Sequence, residues 1–164
     1  MKLLEEFLNK FSKIAIIALG NELKSDDAAG ILVGKLLIEM KPPKTDIFIT
    51  YQSPEAYIFK IVNGNYSHVI IVDAAELGAD PGTIVIIDPD DIPQEVFSTH
   101  NVPLQFIINI LEENRIKVLL VGIQRKLRSF GTKVSSEVKK ACINVANAIY
   151  ETIAKINFLT NRTE

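Results

Sequence analysis

A second cysteine is missing, and so are any excess of charge of one sign, any long apolar run and any internal repeat. With Cys142 alone, the chain can close no internal disulfide and offers no thiolate cluster to a metal. A lone cysteine without a secretory signature points to a reducing compartment, so a cytoplasmic protein is expected. The 18 basic and 20 acidic side chains leave a net charge of -2. Nucleic-acid binding needs a basic face to neutralise phosphates, so no nucleic acid is expected as partner. Near the amino terminus Leu4, Phe7, Leu8 and Phe11 make an apolar stripe that Glu5 and Glu6 interrupt. It reads as an amphipathic helix over residues 1–12, with no membrane span.

What is present is the material of a globular fold. Hydrophobic residues make up 48% and charged ones 23% of 164 positions, enough for one domain over 1–164 with its own core. Residues 158–164 read as a frayed tail, and a monomer is the default. Short β-branched runs at 14–19, 47–50, 69–72, 84–87 and 118–121 predict five strands. Between them the spacing turns helical. Ala29, Leu32, Val33, Leu36 and Met40 share a face that ends before Pro42-Pro43. Ser53-Pro54-Glu55 predicts a capped helix start, with Asn63-Gly64 as its end. Leu104, Ile107, Ile108 and Leu111 form a third stripe opened by Pro103. A long fourth begins near Ser135 and buries Cys142 on its apolar side.

Strands alternating with helices predict an α/β three-layer sandwich, a five-stranded sheet with helices on both faces. The link from Asp73 to Ile84 is too short for a crossover helix. The fourth strand should therefore run antiparallel in a mixed, mostly parallel sheet. Ligands of such folds gather at the carboxyl ends of the strands.

Three places at that rim carry chemistry. The first strand runs into Gly20-Asn21-Glu22-Leu23-Lys24-Ser25-Asp26-Asp27, the third ends at Asp73, and Ser98-Thr99-His100 precedes Pro103. Asp26 and Asp27 also suit a helix N-terminus, where each contributes about 1 kcal/mol. Asp73 is harder to explain away, because a carboxylate closing an apolar strand must be solvated, paired or bound to metal. Two carboxylates and an imidazole make a three-ligand set for a divalent cation with an open position. His68, with no acid in a matching place, reads as structural or exposed. Glu76, Asp80, Asp88, Asp90 and Asp91 read as solvated loop acids. Arg125, Lys126 and Arg128 read as a solvated edge that could also hold a carboxylate-bearing partner.

The run from Gly20 to Gly30, with Asn21, Leu23, Asp26 and Asp27 inside it, resembles the G-N-x-L-x-x-D-[DE]-x-x-G signature of the hydrogenase maturation proteases. The resemblance extends to Val72-Asp73-Ala74, to Ser98-Thr99-His100 and to Gly122-Ile123-Gln124, in the same order over nearly the whole chain. It implies an endopeptidase that removes the carboxy-terminal extension of a nickel–iron hydrogenase large-subunit precursor after nickel insertion. It further implies Asp27, Asp73 and His100 as metal-binding and catalytic residues. The nickel would be supplied by the substrate, with another divalent cation able to replace it in a crystal. Arg125 departs from the pattern, standing where many members have proline.

Three other readings remain at the level of residues. A receiver-type signalling domain would use Asp73 as phosphoacceptor, but it leaves His100 unexplained, and the fourth strand lacks the hydroxyl residue such domains use. A dinucleotide-binding domain needs three glycines where Leu19-Gly20-Asn21 offers one. A pepsin-like dyad of Asp27 and Asp73 would cut at acid pH without metal.

Overall fold

A run with no polar residue is stable as a strand only where both its faces are covered. In the computed structural model, which describes residues 2–51, 53–89 and 104–162, the apolar runs fill the middle of one sheet. They lie in β1 (Ile14–Leu19), β3 (His68–Ala75) and β5 (Lys117–Gln124). Every residue of β1 and β3 is buried. β2 (Thr45–Tyr51) and β4 (Ile84–Ile87) are the half-covered edges, in the order β2-β1-β3-β5-β4. Four strands are parallel, and β4 returns antiparallel with Ile84 opposite Ile123. The mixed, mostly parallel sheet is the one expected from the short link before Ile84.

Helices α1 (Lys2–Phe7), α2 (Ala29–Met40) and α5 (Ser136–Thr160) cover one face, and α3 (Glu55–Val62) and α4 (Leu104–Glu113) the other. Side chains of a strand point alternately to the two faces. Ile70, Val72 and Ala74 accordingly enter the first core, while Val69 and Ile71 enter the second. Cys142 is fully buried in the first core, as expected. No helix among the described residues is long and apolar enough to cross a membrane.

Some local expectations need correction. The first helix ends at Phe7, because Lys10 turns into the left-handed region at φ 61, while Leu8 and Phe11 stay buried beyond it. The last helix runs on through Thr160, since Ile153 and Ile156 keep its inner face packed. Pro54 rather than Ser53 occupies the N-cap of α3, and no side chain caps it. Pro103 lies outside the described residues.

The path of the chain locates the site. From β1 through α2 it steps to β2 on one side, and through α3 it crosses back to β3 on the other. The strand order reverses between β1 and β3, and their carboxyl ends form the crevice where sheets of this kind bind ligands.

Candidate active site

The loop leaving β1 is folded back on itself at a glycine. Gly20 has φ +151, and a Cβ there would meet the carbonyl oxygen of Asp27 at 2.3 Å. That carbonyl accepts the Asn21 amide at 2.9 Å, and Asn21 Oδ1 accepts the Leu23 amide at 2.9 Å. A 3-10 turn, Ser25–Ala28, then leads into α2 and packs against β3. Gly30 permits the next step. A Cβ on it would lie 2.2 Å from the Leu19 oxygen and 2.3 Å from the Val72 oxygen. The start of α2 thus sits directly on the ends of β1 and β3, and the glycines of the motif are the contact points.

The two adjacent acids go separate ways. Asp26 is fully buried and accepts four hydrogen bonds. Its Oδ2 takes the amides of Lys126 (2.9 Å) and Leu127 (2.7 Å) and the Ser135 hydroxyl (2.9 Å), while Oδ1 takes the Ser135 amide (2.7 Å). The capping role considered for Asp26 is therefore replaced by a structural one: it ties down the loop between β5 and α5.

Asp27 faces the rim instead. Its Oδ1 accepts Arg125 Nη1 at 3.2 Å, and Arg125 Nε donates to Glu76 Oε2, also at 3.2 Å. Arg125 is only 8% exposed, so the solvated edge expected of it is corrected. A guanidinium cannot be buried unpaired, and its partner comes from 98 residues away in the chain. Lys126 does lie at the surface, paired with Glu137. Gln124 organises the bridge. Its Oε1 accepts the Leu77 amide at 2.6 Å and its Nε2 donates to Glu76 Oε1 at 3.1 Å. The Gln124 bond, and after it Arg125, holds the Glu76 carboxyl below the usual range. Glu76 and Arg125 are the site residues that reading the sequence missed. The signal was there in Gly122-Ile123-Gln124-Arg125 at the end of the strand beside β3.

Asp73 is fully buried within β3, which continues two residues past the expected end. It stands opposite Gly122, and its Oδ1 accepts the Ala74 amide at 2.8 Å. The close approach of Gly30 to Val72, and the Arg125 amide donating to Ala75 oxygen at 3.2 Å, join the Asp27 loop to this end of β3. Asp27 and Asp73 therefore share one rim. His100, Asp90 and Asp91 lie outside the described residues, and among those described no three His, Cys, Asp or Glu side chains converge. Beside the Asp27 loop opens a groove of about 540 Å³ lined by Gly20, Asn21, Leu23, Thr50, Tyr51 and Tyr57. Among the described residues the buried Thr50 hydroxyl has no hydrogen-bond partner.

His68 is structural, as expected. It lies at the opposite end of β3, with Ser67 Oγ 2.8 Å from its Nδ1 and the Phe7 ring edge-on at 5.0 Å.

The chain is thus an α/β protein whose Gly20–Gly30 turn carries Asp27 to the switch point, beside the end of β3 that carries Asp73. Comparison with known proteins gives the family. The HycI hydrogenase maturation protease family matches residues 40–152, a span that includes Asp73 and His100. The hydrogenase 3 maturation protease of Escherichia coli strain K12 is 32% identical over 127 residues, 77% of this chain and 81% of that one. The crystal structure of a NiFe hydrogenase maturation protease HycI from Thermococcus kodakarensis KOD1 superposes with a TM-score of 0.84 at 32% identity, over 93% of this chain and 99% of that one. The solution structure of the endopeptidase HycI from Escherichia coli gives 0.77 at 31% identity, over 85% and 90%. The chain belongs to the hydrogenase maturation protease family and is an endopeptidase. With that the receiver-domain alternative lapses.

Proposed function

We propose that this endopeptidase removes the carboxy-terminal extension of a nickel–iron hydrogenase large-subunit precursor, and that it reads the inserted nickel through Asp27, Asp73 and His100. The observation that carries the reading is the placing of Asp27 and Asp73 at the switch-point rim, with Asp27 already holding a cation, the Arg125 guanidinium. Leu104 opens α4 four residues after His100. Because α4 runs back to the start of β5, that opening faces the same rim. Carboxylate oxygens with one imidazole suit a borderline divalent cation such as nickel.

The nickel belongs to the substrate. Gripped by the rim, it fixes the adjacent peptide bond over the crevice, and proximity supplies much of the rate. The metal polarises the carbonyl under attack by water. The groove beside Gly20 receives the precursor chain. One copy carries every proposed ligand, so a monomer suffices, and the buried Cys142 suits a reducing cytoplasm.

The test is mass spectrometry of nickel-loaded and nickel-free precursor after incubation with the enzyme. Loss of a carboxy-terminal peptide from the loaded form alone is expected. Equal cutting of both forms, or undiminished cutting by Asp27→Ala and His100→Ala, would sink the proposal.

A further inference from the structure

Arg125 is a buried cation at the mouth of a site read here as one for a metal. It is held from three sides: its amide by Ala75 oxygen, Nε by Glu76 and Nη1 by Asp27. The two carboxylate contacts are single rather than forked, both at 3.2 Å, the long end of the range for such bonds. The partners differ in kind. Asp27 is nearly enclosed, whereas the Glu76 side chain is 54% exposed. A guanidinium that let go of Asp27 would keep Glu76, so release would leave no buried charge unpaired. Arginine stays charged at any working pH, so its hold on Asp27 does not lapse through proton loss.

We propose that Arg125 is the built-in counter-cation of this site: it occupies Asp27 in the free enzyme, keeps stray divalent cations out, and gives way to the metal carried by the precursor. This rests on the reading of Asp27 as a metal ligand. Without Arg125, the Asp27 carboxylate would carry an uncompensated charge at the rim and would collect any available divalent cation. Arg125 removes one oxygen donor and offsets one charge, so a lone ion competes poorly. A metal arriving with its own protein ligands, and with a docked polypeptide behind it, has the additional binding energy to displace the guanidinium. Arg125 is thus a positioning and discriminating residue and takes no part in bond breaking.

Calorimetric titration of the metal-free enzyme with Ni²⁺ tests this on the wild type, Arg125→Gln and Arg125→Lys, each with and without Asp27→Asn. Arg125→Gln should bind Ni²⁺ about tenfold tighter or more, from the loss of one nearby positive charge. Arg125→Lys should stay near wild type, and Asp27→Asn should abolish the gain. Equal affinities for wild type and Arg125→Gln, both weakened by Asp27→Asn, would overturn the role of Arg125 and leave the ligand reading standing. Binding indifferent to Asp27→Asn in every background would overturn the ligand reading itself. Should Arg125→Gln fail to fold, the wild type suffices. The Arg125 Nη–H resonances, whose Nη1 donates to Asp27, should shift in step with Zn²⁺ occupancy, and not in Asp27→Asn; Nη resonances unmoved while Zn²⁺ binds through Asp27 would refute displacement.

Discussion

Asp26 and Asp27 are neighbours in the chain and opposites in the fold. One carboxylate is sealed under the loop between β5 and α5, holding four donors. The other faces the rim with one arginine. Asp26→Asn puts an amide NH₂ where donors now converge, orphaning at least one of them. It should cost about 2–4 kcal/mol in urea unfolding, while a change under about 0.5 kcal/mol, the scale of a surface substitution, would show that the buried bonds carry little. From the sequence the two acids look alike, since both suit a helix start. What separates them is which way a 3-10 turn points each one, and that depends on Gly20 and Gly30 meeting strands far off in the chain. Arg125 was hidden for the same reason, because a charge one residue past a strand reads as loop until its distant partners are known. Cys142 was legible, because the stripe around it already placed it inside. Burial first, then the charge of Asp26, pushes its thiol up to about 12. In native buffer at neutral pH it should therefore resist a thiol reagent, and label fully once urea opens the fold. Rapid native labelling would mean that α5 lifts from the core.

At the scale of elements, the join between the Gly20–Gly30 turn and the sheet is where close packing is least forgiving. Gly30→Ala places a methyl against two strand carbonyls at 2.2 and 2.3 Å, and backbone cannot move aside as a side-chain end can. It should destabilise by about 3 kcal/mol and lower activity more than stability, since it shifts the turn that aims Asp27. Melting and precursor cleavage, measured together, check both parts. The other end of β3 supplies a pH dependence. Burial first, and the charge of Lys117 second, press His68 down to about 4 from its ordinary 6.5. The folded state thus refuses a proton that the unfolded chain accepts. Stability should be full above about pH 6.5, fall as pH drops from there toward 4, and level off below, a loss of up to about 3 kcal/mol. Unfolding curves of wild type and His68→Gln should converge in acid by that margin; parallel curves from pH 8 to 4 would refute the shift. Apolar runs made the five strands readable, but not their lengths. β3 continues through Asp73 to Ala75 because β5 offers partners as far as Gln124, which no pattern within β3 announces.

Across the whole molecule the two halves of the proposed site rest on unequal supports. Asp27 and Asp73 belong to the part built around β1 and β3, which lie in the interior of the sheet with helices on both faces. His100 falls in the chain between β4 and α4. β4 is a four-residue edge strand with no fully buried residue and, among the described residues, a single neighbour. Opening free energy follows buried contacts and ladder neighbours, so an edge of this kind opens locally while central strands open only with the whole fold. Native-state hydrogen exchange should therefore divide the sheet. Amides such as Ile16 and Ile71 should exchange only through global unfolding, with denaturant sensitivity to match. Amides that β4 bonds to β5 should exchange orders of magnitude faster and almost independently of dilute urea. On the proposed reading, such a division would hold Asp27 and Asp73 at fixed spacing while the sheet edge at β4 can yield. If β4 proved as protected as β3, the molecule would be one rigid unit. In the proposed reaction the precursor's tail would then enter a rim already shaped to receive it, along the groove beside Gly20.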